Sequence, residues 1–443
     1  MEISAMEIQK KHSERKVKSR RAFLKSAAAL SSLPFLPYNL TIFPPARRFS
    51  RLIHPETDGE GKSIIGGYGS WAEGIVESPP LLSFRSPEWT NINNWRQKAL
   101  AKTHELIAAP MLGEKIPDVK LKTRYEYDGL TVEELEWQLP YGRPTEAILL
   151  KPADTTGPLP AVLGLHDHGG NKYFGKRKIT KTSDEMHPNM ISHQAKSYSG
   201  LAWANELAKR GYIVLVHDAF TFGSRRVWYK DIAGITWGNC NVEDKTDENP
   251  EDTENIEIYN QWAAEHEHIM AKSLFCAGTT WPGVTLVEDQ KALDILCTMP
   301  DVDANNIGCC GLSGGGLRTD YLGGLDHRIK CAVSVGFMST WKDFLLNKTY
   351  THTWMTYTPL LSRYLDFPEI LGLRAPLPTM VLNDIDDSLY TLPEMKKADE
   401  ILKEIFSKAG AGDKYTGKFY PGPHKFDAEM QQDAFGWFDR WLQ

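Results

Sequence analysis

The chain has 443 residues, 41% hydrophobic and 24% charged, with a formal net charge of −6. Such a length and balance fit a globular protein with one large domain plus additions, or two domains. The mild acidity argues against a nucleic-acid partner, because phosphate binding needs a concentrated basic face.

The basic residues gather at the start. The stretch "KSRRAFLKSAAALSSLPFLPYNL" sets Ser19, Arg20, Arg21, Phe23, Leu24 and Lys25 ahead of a small, mildly apolar segment. It resembles the twin-arginine export signal, matching S-R-R-x-F-L-K at every fixed position. Pro34 and Pro37 interrupt the apolar part, and a membrane span wants ~20 uninterrupted apolar residues, so a signal is the better reading. The bland alternative is a basic arm that happens to contain Arg-Arg. Residues 1–45 are therefore expected to be signal and linker, and the mature protein to be exported, to the periplasm. Residues 46–115, with Trp71, Trp89, Trp95 and a predicted helix near Asn94–Ile107, read as an N-terminal extension.

From 116 to the C-terminus the pattern is that of a catalytic domain. Lys120–Tyr127, Thr131–Leu139 and Thr145–Lys151 read as three strands of a meander, broken by Gly129, Gly142 and Pro144. Then come "AVLGLHDHGG", "GYIVLVHDAF", "NIGCCGLS", "IKCAVSVGF" and "PTMVLNDIDD". These short, continuous, β-branched runs suit strands buried on both faces. Helical segments alternate with them: Gly200–Lys209, Leu286–Met299 and Gly314–Leu325, followed by Pro393–Ala409 and Ala428–Leu442. The fold class expected is α/β, a mostly parallel sheet flanked by helices. An aromatic insertion over 339–378, before the last of those strands, is expected to shape a pocket. The acidic run Glu243–Glu254 reads as a solvated loop rather than a calcium site, since no EF-hand spacing is present. Of the six cysteines, Cys309, Cys310 and Cys331 read as small buried hydrophobes, and a Cys240–Cys276 disulfide is conceivable in an oxidising compartment.

One stretch carries chemistry. In "NIGCCGLSGGGLRTD", Gly311-Leu312-Ser313-Gly314-Gly315 is G-x-S-x-G between a buried strand and a helix, the setting of a nucleophile elbow. Glycines relieve so tight a turn. A serine hydroxyl needs a base, and His424, in the Pro/Gly turn of "FYPGPHKFD", lies where such a fold delivers it. The acid comes from Asp384, Asp386 and Asp387 in "LNDIDDSLY". Ungapped alignment on strand–G-x-x-D selects Asp387, with Asp386 as runner-up. Oxyanion donors are expected from the backbone N–H of Gly314 and from Gly170 or Asn171 in "HDHGGN". His166 and His168 lack a third ligand to make a zinc site, and no metal or cofactor is expected. Trp341, Trp354 and Arg225 are candidate substrate contacts.

"GLSGGGLRTDYLGGLDHRIKCAV", "LNDIDDSLYTLPEM" and "FYPGPHKFDAEM" resemble the serine α/β-hydrolases of the dienelactone hydrolase and acetyl xylan esterase group, over some three quarters of the chain. Dienelactone hydrolase uses a cysteine nucleophile, so Ser313 moves the expectation toward the acetyl xylan esterase kind. The resemblance implies a Ser-His-Asp acyl-enzyme hydrolase acting on a small-molecule or carbohydrate ester. A serine peptidase of the same fold, or a binding protein that kept the fold without the activity, are the alternatives.

Overall fold

The computed structural model describes residues 63–154 and 157–443, all within one compact unit, Gly61–Gln443. The export signal and linker expected over 1–45 lie outside the described residues.

The strands are β1 Lys120–Tyr127, β2 Leu130–Trp137, β3 Thr145–Pro152, β4 Leu159–Gly164, β5 Ile213–His217, β6 Val302–Leu312, β7 Ile329–Val335, β8 Thr379–Asp384 and β9 Tyr415–Tyr420. The longer helices are α1 Ile92–Ile107, α2 Pro188–Tyr198, α3 Trp203–Lys209, α4 Thr253–Cys276, α5 Trp281–Thr298, α6 Gly314–Leu325, α7 Phe367–Gly372, α8 Leu392–Lys408 and α9 Ala428–Leu442.

One nine-stranded sheet runs in the order β1-β2-β3-β5-β4-β6-β7-β8-β9. The meander β1–β3 is antiparallel and joins β5 antiparallel; from β5 through β4 to β9 every neighbour is parallel. Alternate residues of the inner strands bury on opposite faces. In β5, Ile213 and Leu215 join one apolar cluster while Val214 and Val216 join the other, which is why the run reads as continuously apolar. Leu293, Leu317, Ile370 and Leu402 bring α5 to α8 onto the first face. Trp203, Leu207, Phe435 and Phe438 bring α3 and α9 onto the second.

The N-terminal segment shares the first of these cores. Trp95, Ala99 and Ile107 of α1 are buried in it, and the Trp95 indole donates to Leu82 O at 2.6 Å. One edge of the sheet is β1, whose first five residues, Lys120 to Arg124, are exposed, with a register shift between Leu121 and Thr123.

Three of these helices, α2, α4 and α7, escaped the sequence reading. α2 caps the loop after β4, and α4 starts inside the acidic run, its Asp252 N-cap accepting from Glu254 N and Asn255 N. Tyr259, Trp262 and Ala263 of α4 pack on Tyr173, Phe174 and Tyr229 in a third cluster. All six cysteines are free thiols, so Cys240 and Cys276 form no disulfide. Among the described residues, no helix is long and apolar enough to cross a membrane.

Candidate active site

β6 ends at Leu312 and α6 begins at Gly314, leaving Ser313 alone at the turn with φ 58° and ψ −119°. That backbone costs a non-glycine residue about 1–3 kcal/mol. It is pinned by Ser313 N–H to Val335 O at 2.8 Å and by Leu317 N–H to Ser313 O at 2.9 Å. The glycines relieve the turn sterically, as expected. The positive φ falls on the serine, and the glycines give room. A methyl on Gly315 would lie 2.0 Å from Leu165 O, and one on Gly311 2.3 Å from the same oxygen. The main chain leaving β4 crosses directly over the elbow there.

His424 sits in the turn between β9 and α9. Its Nδ1–H donates to Asp387 Oδ2 at 2.6 Å, and Asp387 Oδ1 accepts Leu389 N at 2.9 Å. The Asp387 side chain is 1% exposed. Asp386 is exposed and accepts Gly422 N at 2.9 Å, steadying the turn. Of the two neighbours, Asp387 is the one brought to the imidazole.

Asp384 belongs to the same corner. It accepts Lys425 N at 2.9 Å, and burial pushes its carboxyl up to about 7. Asp384, Asp387 and His424 offer ligand atoms within 4.8 Å of one another, a grouping that could hold a metal ion. Asp387 and His424 are, however, already each other's partners.

The ring of His424 lies against Gly336, where a methyl would come within 2.9 Å of its Cε1. Gly336 directly follows Val335, the acceptor for Ser313 N–H, so serine and imidazole share one corner at the ends of β6 and β7. His424 Nε2 is buried and has no hydrogen-bond partner among the described residues, Ser313 included. Such bonds are often loose before substrate binds. Behind Gly336, Tyr390 donates its hydroxyl to Gly336 O at 3.1 Å. The His352 ring from the aromatic insertion packs at a tilt against Tyr390, with centroids 4.9 Å apart.

The loop after β4 faces the elbow, and its donors differ from expectation. Gly170 N–H is taken by His168 Nδ1 at 3.1 Å, and Asn171 N–H by His168 O at 3.0 Å. The amide nitrogen that lies against the elbow is that of His168, which a methyl on Gly314 would meet at 2.9 Å. Sequence reasoning missed this because it turns on how the loop spends its own hydrogen bonds.

The histidine's other nitrogen, Nε2, donates to Glu267 Oε1 at 2.7 Å, and Lys172 Nζ reaches the same oxygen at 2.8 Å. Burial acts to raise the Glu267 carboxyl, but Lys172 and His168 outweigh it and hold it down to about 2. Burial also lowers His168, keeping the ring neutral. His166 is engaged at both nitrogens, with Asp167 O at 3.0 Å and Ala219 N at 3.2 Å. Neither histidine has a lone pair free for a metal.

Arg225 is not available to substrate. Its guanidinium pairs with Glu288 at 2.6 Å, both side chains being 2% exposed, and it also donates to Tyr141 O and Arg143 O. Trp354 stands at the surface, 36% exposed. Trp341 packs on Phe344 and Phe367 and lines a cleft of about 510 Å³ between Ala72–Pro80 and the insertion, whose lining includes neither Ser313 nor His424.

No protein-family model matches the chain. It is 27% identical over 299 residues to YtaP of Bacillus subtilis (strain 168), provisionally named a hydrolase, covering 67% of this chain and 83% of that one. Among solved structures it is similar to a protein of Bacteroides fragilis provisionally named an acetyl xylan esterase. The TM-score is 0.55 at 17% identity, over 83% of this chain and 84% of the other. It is also similar to the glucuronoyl esterase of Solibacter usitatus, with a TM-score of 0.53 at 15% identity, over 82% and 97%. A glucuronoyl esterase of Teredinibacter turnerae gives 0.51 at 14%, over 83% and 90%. The sheet order, the strand–serine–helix turn and these likenesses agree: the chain has the α/β-hydrolase fold.

Proposed function

We propose that the protein is an exported serine carboxylic-ester hydrolase acting on acetylated or otherwise esterified carbohydrate. The observation that carries this reading is the convergence on one corner of Ser313, in its positive-φ turn, and the His424–Asp387 pair. The neighbours named as acetyl xylan and glucuronoyl esterases support the substrate class, and the twin-arginine pattern at Ser19–Lys25 supports export.

In this mechanism His424 Nε2 takes the proton of Ser313 as Oγ attacks the ester carbonyl carbon. The resulting oxyanion is held by the N–H groups of Gly314 and His168. Asp387 fixes the tautomer and stabilises the imidazolium. The tetrahedral intermediate collapses, the C–O bond to the alcohol breaks, and the alcohol leaves with the proton from His424. Water then gives a proton to His424 and attacks the acyl-enzyme; its collapse releases the acid and returns the proton to Ser313.

The test is a panel of acetylated xylan, other acetylated sugars, methyl glucuronate esters and aryl acetates, with Ser313→Ala as control. Turnover lost in Ser313→Ala, together with fluorophosphonate labelling of the wild type at Ser313, is expected. Undiminished turnover in that variant would end the reading. Cleavage of aminoacyl-anilides in preference to esters would favour a peptidase, and neither labelling nor hydrolysis of any ester a binding protein.

A further inference from the structure

Beneath the loop that faces the elbow lies a cation that the mechanism above does not use. Lys178 is 0% exposed, and its Nζ donates to Asp167 O at 2.7 Å and to His168 O at 2.8 Å. The first acceptor matters most. The carbonyl of Asp167 and the N–H of His168 are the two ends of a single planar peptide group. A charged donor on the oxygen end draws electron density along that group and makes the N–H end a stronger donor, as in any polarised hydrogen-bond chain. The second bond does the same for the His168–Gly169 peptide.

We propose that Lys178 is a positioning residue for ester hydrolysis: its buried ammonium fixes the Asp167–His168 peptide and polarises its N–H toward the oxyanion on the substrate. The inference rests on the acyl-transfer reading above and extends it to a residue without substrate contact.

The surroundings keep this cation in place. From its own loop, Asp167 Oδ2 lies 3.8 Å away, while the same carboxylate's Oδ1 is held by His193 at 3.1 Å and by the hydroxyl of Tyr198. Lys172 adds a like charge from the same loop, Asp218 an opposite one from the loop after β5, and Arg318 a like one from α6. Phe222 offers its ring at 4.8 Å. Burial pulls the Lys178 ammonium down to about 8, with Asp167 opposing. Its charge is therefore present at neutral pH and lost as pH rises through that value, which weakens the N–H donor without touching Ser313 or His424.

The experiment measures kcat and KM for p-nitrophenyl acetate from pH 6 to 10, with a Ser313→Ala blank subtracted. In the wild type kcat should fall above pH about 8 while KM stays flat. Lys178→Met should lower kcat ~10- to 100-fold at pH 7 with KM within ~3-fold, since a preorganised donor is weakened rather than removed, and should abolish the alkaline decline. Lys178→Arg, which keeps its charge, should recover kcat at pH 7 and hold it at pH 9.5. A wild-type kcat that is flat to pH 10 overturns the proposal, even where neither variant folds. So does a folded Lys178→Met enzyme with wild-type kcat. Activity surviving in Ser313→Ala would instead strike the acyl-enzyme reading itself, and the inference with it.

Discussion

Two adjacent carboxylates follow β8, and substituting each by asparagine separates their roles. Asp387 is buried and 2.6 Å from the His424 ring. When the imidazole takes a proton, the new positive charge forms beside an almost unscreened carboxylate. At an effective dielectric of about 20 and a charge separation near ~4 Å, that attraction is roughly 4 kcal/mol. At about 1.4 kcal/mol per decade it amounts to ~10³ in rate. The amide introduced by Asp387→Asn would also accommodate the wrong imidazole tautomer, taking the expected loss in kcat toward ~10⁴. Asp386→Asn keeps an amide oxygen for Gly422 N at an exposed site, so its cost should stay under about 1 kcal/mol, or ~5-fold. Initial rates on p-nitrophenyl acetate at pH 7.5 measure both. An Asp387→Asn enzyme within ~10-fold of the wild type, or Asp386→Asn as the more damaging change, would refute this assignment.

Three more outcomes are expected. Arg225→Leu leaves Glu288 buried without its charge partner, with only the Tyr141 hydroxyl still on its Oε1, and should cost about 3–5 kcal/mol of stability; thermal denaturation should show a lower Tm while KM of the folded enzyme is unchanged. Gly314→Ala places a methyl 2.9 Å from the His168 amide and should cut kcat ~10- to 100-fold through the displaced donor, measured as kcat on the same ester. Asp320, wholly buried on α6, has its carboxyl pushed well above the ordinary range by burial, with Ser334 opposing. The folded state therefore binds more protons than the unfolded one, and stability is lost as pH rises from about 4 through the raised value. Asp320→Asn removes that slope, so its Tm relative to wild type should be higher at pH 8 than at pH 5. Equal differences at the two values would count against it.

What the sequence disclosed is what short-range pattern encodes. β1, α6 and α9 match their expected bounds because alternation, glycine and capping signals are local. Ser313 and His424 are read from order along the chain, and Asp387 over Asp386 from ungapped alignment on strand–G-x-x-D. What stayed hidden depends on long-range pairing. Arg225 looks like an exposed loop cation until Glu288, on a helix 63 residues away, buries it. Lys172 and Lys178 look like surface charge within "NKYFGKRK", yet the fold closes over both. Helix α4 was obscured because its start is acidic and its buried side is built from scattered aromatics rather than a continuous aliphatic stripe.

An open sheet must also avoid pairing with its own copies, and β1 supplies the means. Lys120, Lys122 and Arg124 project from the outermost strand, and the register irregularity at Leu121–Thr123 bends its ladder. A second molecule adding a strand there would have to desolvate three cations and match a kinked backbone. That border resists fibre-like stacking wherever concentration is high and partners are identical.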